Sequence, residues 1–437
     1  MVELRAGDVD ADGTEELVAI ERKRRGARPD AVAFTVLDVD NKGAVNDRWS
    51  IDVQNRALFV DIESGLWALG GEGLVALERT GARNVVETRT PLAGLGSSTA
   101  VMSDVFVDLE DDGTPEAVLA MGRTVRIVGV DGVERAKVNG SSRGELSTRS
   151  RVGTQVVTSS VSPIWRVDDF DGDGFRDLLL PEAKWLTVYH LGPEGMRTKK
   201  SVQLPVNVSP RRDDGPMKEG QVEKDVQAAW FEDLNGDGKT DFLAQLWVTE
   251  GSWLGAVGEL LFAPGTGAGF GSVQRMGSDG DAVVSVELLD LDADGTQELV
   301  TAQVDFGVGT LARALVSKQV KVEMYVRKLQ GARFSAATPL YSMVLPVGND
   351  RDPALNFSED LTGDGLPDLV TNAGDTAVHL FPGDGSGFAE TPIASLEVGF
   401  RNGESKLWVG DLTGDGRAEI VVWKIRTKQA QLLTYKP

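Results

Sequence analysis

Asp169-Phe-Asp171-Gly-Asp173-Gly-Phe-Arg-Asp177 carries carboxylates at its first, third, fifth and ninth positions and a glycine at its sixth. A hard cation such as Ca²⁺ takes six to eight oxygens at about 2.3–2.6 Å, and alternate residues of a tight loop can turn their carboxylates inward to supply them. Glycine permits the sharp turn that lets the backbone carbonyl of the seventh residue, Phe175, join the set. The spacing therefore predicts a loop built around a divalent ion.

Six further stretches obey the same rule. They are Asp8, Asp10, Asp12, Thr14 and Glu16; Asp108, Glu110, Asp112, Thr114 and Glu116; Asp233, Asn235, Asp237, Lys239 and Asp241; Asp290, Asp292, Asp294, Thr296 and Glu298; Asp360, Thr362, Asp364, Leu366 and Asp368; and Asp411, Thr413, Asp415, Arg417 and Glu419. In each the residue at the seventh position is expected to offer its carbonyl and the others their side chains, so up to seven Ca²⁺ ions are expected. An EF-hand would need its last carboxylate at the twelfth position, where Ala19, Leu180 and Ala244 stand instead. Short apolar runs flank the loops, such as Leu-Trp-Val before Gly410-Asp411 and Ile-Val-Val-Trp after Glu419. They predict strands, and hence strand–loop–strand sites.

The loops begin at residues 8, 108, 169, 233, 290, 360 and 411, and the first interval is a double one. Near its middle, Ala57-Leu-Phe-Val-Asp61-Ile-Glu63-Ser-Gly65-Leu-Trp-Ala-Leu-Gly70 keeps the flanking strands without the later ligands, a repeat whose loop has lost its ion. Each interval has room for four short strands; around Asp169 they are expected at 163–167, 177–180, 186–190 and 201–206. A four-stranded antiparallel sheet recurring at this period predicts an all-β fold, a β-propeller, as one domain over residues 1–437. Eight blades are expected, with seven the alternative, bounded at 1–53, 54–98, 99–150, 151–210, 220–278, 279–348, 349–402 and 403–437.

Together with Leu261-Phe-Ala-Pro-Gly-Thr-Gly-Ala-Gly-Phe270 and Leu380-Phe-Pro-Gly-Asp-Gly-Ser-Gly-Phe388, the loops resemble the FG-GAP/VCBS repeats of the integrin α-subunit propeller and its bacterial and lectin relatives. The resemblance runs the length of the chain and departs from the pattern at the loop near Asp61. It implies that each metal loop joins the first and second strands of a blade, and that the propeller serves recognition or adhesion outside the cytosol.

Composition limits the alternatives. With 41 % hydrophobic residues and nine tryptophans the chain can build a core despite its 51 glycines. A formal charge of −22 argues against nucleic acid or an anionic membrane as partner. Much of that charge sits in the loops, which place 25 carboxylates in ligand positions; seven divalent ions would bring the total from −22 to −8. Cysteine is absent, which removes disulfides, thiolate metal sites and cysteine nucleophiles. No apolar run is long enough to span a bilayer, and residues 1–20 lack the layout of a secretion signal, so an export signal would lie outside these residues. Extracellular calcium modules bind at about 10⁻⁴–10⁻³ M, a range that fills sites outside cells, so a secreted, periplasmic or cell-surface location is expected.

In antiparallel blades the second-to-third connection emerges opposite the metal loop. The segments 21–30, 249–256 and 306–318 are expected there as long loops, with 210–225 on the same side between repeats. Long loops on one face of a repeat scaffold carry recognition. Arg22, Lys23, Arg24, Arg25 and Arg28 in the first repeat, and Lys424, Arg426 and Lys428 in the last, form two basic groups that ring closure would make neighbours. Trp185 and Trp253 fall beside the same connections and offer flat faces for a sugar ring. Each of these also has an ordinary reading, as solvated loop charges or packed aromatics. The expected partner is a protein or glycan on another cell or in the envelope.

No phosphate loop, nucleophile elbow or zinc-protease motif appears. The two histidines, His190 and His379, close third strands in different repeats and read as structural. The paired carboxylates belong to the loops, and an ion-bound carboxylate cannot act as a general acid. The chain is therefore read as a non-catalytic module, with a sugar-binding lectin, and beyond it a calcium-dependent polysaccharide lyase, as the alternatives.

Overall fold

In the computed structural model of the chain, the described residues are 2–7, 9, 15–25, 28–39, 45–54, 59–61, 66–70, 73–80, 84–91, 106–109, 116–121, 124–129, 131–140, 143–149, 155–161, 165–192, 195–208, 222–250, 252–277, 282–304, 316–317, 319–346, 355–372, 376–399 and 404–435. Two compact bodies divide it, residues 1–40 with 44–203, and residues 204–437 with 41–43.

The first body holds four antiparallel sheets of four strands. They are β1 (Val2–Gly7), β2 (Glu16–Arg25), β3 (Arg28–Val39) and β4 (Val45–Gln54); β5 (Phe59–Asp61), β6 (Leu66–Gly70), β7 (Gly73–Thr80) and β8 (Asn84–Pro91); β9 (Phe106–Val107), β10 (Glu116–Met121), β11 (Thr124–Gly129) and β12 (Glu134–Asn139); and, after a two-stranded ribbon of β13 (Arg143–Arg149) and β14 (Gln155–Val161), β15 (Arg166–Asp168), β16 (Asp177–Glu182), β17 (Trp185–His190) and β18 (Thr198–Gln203). The ribbon lies across the repeat boundary expected at residue 150.

The second body continues with β19 (Val222–Glu232), β20 (Asp241–Glu250), β21 (Ser252–Ala263) and β22 (Gln274–Gly277). Next come β23 (Ala282–Leu289), β24 (Glu298–Val304) and β25 (Gln319–Arg327), paired with β28 (Thr338–Pro346) around a small ribbon of β26 (Leu329–Gln330) and β27 (Arg333–Phe334). β29 (Leu355–Glu359), β30 (Asp368–Thr371), β31 (Ala377–Phe381) and β32 (Ala394–Glu397) make the next sheet, and β33 (Ser405–Gly410), β34 (Glu419–Lys424) and β35 (Gln429–Leu433) the last.

Inner strands show why these sheets stack. All four residues of β30 and all seven of β24 are buried, so both faces of each strand are covered. Neighbouring residues then feed different cores. Leu299 packs with Leu243, Leu260, Phe262 and Phe334, while Val300 packs with Val322, Met324, Phe357 and Leu369. Leu369 turns toward that second core and Val370 toward Ile420 and Val422 of the last sheet. In the first body, Val118 and Ile127 meet Leu178, Leu180 and Tyr189 in the same way. Side chains of a strand alternate between faces, so an unbroken apolar run requires a sheet packed on both sides. Successive four-stranded sheets stacked face to face are the blades of a β-propeller.

Two expectations are corrected. Seven four-stranded sheets are present among the described residues, the count of the seven-bladed alternative, and not eight. The last sheet, β33–β35, has three strands among the described residues. The long loops expected at 21–30 and 249–256 are hairpins. β2 runs to Arg25 and pairs with β3 from Arg28, and β20 runs to Glu250 and pairs with β21 from Ser252. Arg22–Arg25 run past the end of β1, whereas Thr249 and Glu250 stay paired with Glu223 and Val222 of β19. The segments 210–221 and 306–315 lie outside the described residues.

Candidate metal centre

Each of the seven acidic loops joins the first and second strands of its sheet. In all seven, the ninth-position carboxylate begins the second strand and is buried: Glu16, Glu116, Asp177, Asp241, Glu298, Asp368 and Glu419 are at most 3 % exposed. Each accepts the N–H of the loop's second residue, at 2.8 Å from Val9, 3.0 Å from Leu109, 3.2 Å from Phe170 and Leu234, and 2.9 Å from Leu291, Leu361 and Leu412. Those second residues are themselves buried. They plug the loop into the sheet, and their apolar side chains at a constant place in seven copies were visible in the sequence but carried no ligand chemistry to draw attention.

The other carboxylates are held in a repeated pattern. The first-position oxygens accept backbone N–H groups three to five residues on, as when Asp360 takes Gly363 at 2.6 Å and Gly365 at 2.7 Å, or Asp411 takes Gly414 and Gly416 at 2.8 Å. Asp233 holds Gly238, Asp290 holds Gly295 and Asp169 holds Gly174 likewise. The fifth-position carboxylate accepts the N–H of the seventh residue: Asp173 from Phe175, Asp237 from Lys239, Asp294 from Thr296, Asp364 from Leu366 and Asp415 from Arg417. The backbone thus positions the acids without help from an ion. The glycine at the sixth position has positive φ in every described loop, 85° at Gly365.

Third strands close the cage from behind. The ninth carboxylate's other oxygen accepts the N–H of Leu191 for Asp177, of Gly265 for Asp241 at 2.6 Å, and of Gly383 for Asp368 at 2.9 Å. Gly265 and Gly383 lie in the Pro-Gly segments that drew the family resemblance, each clipped by a bridge to Phe270 or Phe388. A Cβ on Gly383 would lie 2.1 Å from the Pro367 carbonyl oxygen, so the approach needs glycine there. Burial pushes the Asp241 and Asp177 carboxyls up to about 6, against the lowering effect of these hydrogen bonds and, for Asp177, of the nearby His190. Burial also raises Glu298, Asp368 and Glu419.

Donor chemistry fits a divalent cation. Asp169, Asp171 and Asp173 each bring a carboxylate oxygen within 4.8 Å of the others, as do Asp290, Asp292 and Asp294. The third-position oxygens Asp171 Oδ1 and Asp292 Oδ1 are buried without a hydrogen-bond partner, an arrangement that a cation would satisfy. Where the third residue is neutral it donates into the loop instead, Asn235 to Asp241, Thr362 to Asp360 and Thr413 to Glu419. Of the expected ligands, Asp8, Asp10, Asp12, Thr14, Glu110, Asp112 and Thr114 lie outside the described residues.

Basic side chains enter two of the loops, which the sequence reading did not foresee. His190 Nδ1 stands 3.1 Å from Asp177 Oδ2 and 3.4 Å from Asp171 Oδ2. Arg197 donates to Asp173 at 2.9 Å and lies over the Phe175 ring, and Lys328 donates to Asp292. Each lies well beyond its nonapeptide, and only strand pairing brings it back.

On the opposite ends of the sheets, Trp185 opens β17 and is 52 % exposed. Lys424, Arg426 and Lys428 lie at the β34–β35 turn. Arg22, Lys23, Arg24, Arg25 and Arg28 lie on β2 and β3, and Trp253 on β21; their side chains are outside the described residues.

Residues 360–422, from the Asp360 loop through β34, match the family described as FG-GAP-like repeat. This chain carries an FG-GAP-like repeat. The matched stretch spans two of the loops, and the other five acidic loops share its second-residue anchor and buried ninth carboxylate. No curated protein matches the sequence. Among solved structures, the chain is similar to an Agrocybe aegerita lectin described for specific recognition of non-reducing terminal N-acetylglucosamine, at 15 % identity and TM-score 0.37, over 96 % of this chain and 85 % of that one. It is similar as well to the dihydro-heme d1 dehydrogenase NirN, at 14 % identity and TM-score 0.41 over 92 % and 70 % of the two chains. A third is the Dos1 propeller, at 11 % and 0.37 over 92 % and 82 %. No helix among the described residues is long and apolar enough to cross a membrane.

Proposed function

We propose that the chain is a calcium-stabilised, non-catalytic recognition module that works outside the cytosol and binds a protein or glycan partner. The observation that carries this reading is the buried ninth-position carboxylate, repeated in all seven loops, with further acids that the backbone holds in place in the five loops from Asp169 on. Crowded carboxylates repel unless a cation joins them, and Ca²⁺ is the hard, oxygen-seeking ion such a set favours. The side chains at positions one, three, five and nine would hold it, and bound Ca²⁺ would supply charge neutralisation that ties the first two strands together. The strand ends opposite the loops are left for a partner, with Trp185 and the Lys424–Lys428 turn as the described contact groups. A lectin is the second reading, favoured by the exposure of Trp185, whose ring face can stack on a sugar.

Calorimetric titration of the chelator-stripped protein with Ca²⁺ should show several sites, and the melting temperature should rise on loading because only the folded state binds. Partner capture from an extracellular or periplasmic fraction should then weaken in Trp185→Ala and in Lys424→Glu/Arg426→Glu without a change in melting. An unchanged melting temperature in excess chelator would overturn the calcium reading, and undiminished capture by both variants the assignment of the face.

A further inference from the structure

Third strands return to the loops at one fixed place. The loop's tenth residue pairs with Tyr189 in β17, Ala263 in β21, Arg327 in β25, Phe381 in β31 and Leu433 in β35, so the next residue along comes level with the buried ninth-position carboxylate. That residue is His190, Pro264, Lys328, Pro382 and Thr434 in turn. The two basic residues occur opposite Asp171 and Asp292, the third-position acids with a buried, unpartnered Oδ1. Proline or threonine holds that place in the sheets of the Asn235, Thr362 and Thr413 loops. Among the described loops, then, only Asp169–Asp177 has at this place a nitrogen side chain that can itself ligate a metal; a lysine ammonium has no lone pair to give.

We propose that Asp171, Asp177 and His190 form a site for a borderline divalent cation of the zinc class, distinct in selectivity from the all-oxygen loops. One carboxylate oxygen from each aspartate and His190 Nδ1 lie within 4.8 Å of one another. The nitrogen stands 3.1 Å and 3.4 Å from the two oxygens. Donors bonded to one ion at about 2.0–2.2 Å sit roughly 3.0–3.5 Å apart, a spacing that both nitrogen–oxygen pairs already have. A single Nδ1–H can be directed well at only one of two carboxylates, whereas an ion among the three atoms bonds all of them. Imidazole nitrogen is a good ligand for zinc and its neighbours and a poor one for Ca²⁺ or Mg²⁺, which take oxygen. Asp177 is 1 % exposed and His190 lies edge-on to the buried Phe170, so β16 and β17 hold two of the ligands rigidly. Asp169 and Asp173 remain beside the site to accept a second-sphere water or to share the ion.

This inference rests on the proposed reading of the loops as cation sites, and the two fail separately. The whole protein, saturated with Ca²⁺, is titrated with zinc while the ring resonances of its two histidines are followed by NMR. His190 should shift on binding one zinc per chain and His379, which meets Ser395, should not. His190→Gln and Asp171→Asn should each weaken zinc binding by about 100-fold, at or above the upper end of what loss of an outer-shell partner costs. His190→Lys, which copies the arrangement at Lys328, should abolish it. In all three variants the calcium-dependent gain in melting temperature from the other loops should persist. Static His190 resonances at excess zinc, or an unaltered zinc affinity in His190→Gln, would overturn the zinc site while leaving the calcium reading intact. Loss of the calcium effect with retained zinc binding would overturn the calcium reading alone.

Discussion

Asp241 shows how one side chain couples the fold to an ion. Its carboxyl is pushed from 3.8 up to about 6 by burial, in a chain without metal. The folded state therefore holds the proton more tightly than the unfolded state. Its contribution to stability is full below pH 3.8, declines as pH rises, and is gone above about 6. In chelator the melting temperature should fall across this window and Asp241→Asn should flatten part of the fall; in Ca²⁺, which takes the proton's place, the fall should shrink. A melting temperature in chelator that climbs through the same window in both proteins would contradict this. Backbone strain gives a second test. Gly365 has φ 85° and a Cβ there would meet nothing within 4 Å, so Gly365→Ala carries only the conformational penalty of a left-handed residue, about 1–2 kcal/mol. At the fourth position of its loop Ala293 already has φ 54° where Gly172, Gly236, Gly363 and Gly414 stand in four of the other six. Ala293→Gly should stabilise by about 0.5–1 kcal/mol. Chemical denaturation with and without Ca²⁺ measures both.

Strands and sheets are joined by more than apolar packing. Gln274 of β22 accepts the Phe334 N–H at 2.8 Å and donates to the Phe334 carbonyl at 2.7 Å, so one amide ties a sheet to the ribbon of the next. The Phe334 ring is thereby set edge-on against Phe262, centroids 4.9 Å apart. Gln274→Ala leaves both backbone groups without that partner and should cost about 1–3 kcal/mol by denaturant unfolding. A cost near zero would mean water replaces the amide at no loss. Strand existence was readable around every loop because the apolar runs are long and lie beside a recognisable turn. Strand ends were less so: Glu21–Arg25 and Thr249–Glu250 are polar, and polarity alone does not separate a loop from the end of a paired strand. The ribbons β13–β14 and β26–β27 were missed for the same reason, since neither shows the apolar run of an inner strand.

Charge is a property of the whole chain. At −22 the ion-free protein carries strong self-repulsion, which screening reduces. In chelator, raising monovalent salt should increase the melting temperature, and in saturating Ca²⁺ the same salt series should change it much less. Equal salt responses in the two states would show that the loop acids do not govern the repulsion. Sequence spacing alone established the acidic loops, their count, their place between strands and the all-β repeat, because ligand geometry and strand periodicity are local and are written in consecutive residues; that those strands are the first and second of a sheet was implied by the family resemblance. It left open the number of four-stranded sheets, the second-residue anchors and the basic residues facing Asp171 and Asp292. Those depend on which strand pairs with which and at what register. His190 is thirteen residues from Asp177 in the chain and a hydrogen-bond length away in space, and only the β16–β17 hairpin joins them.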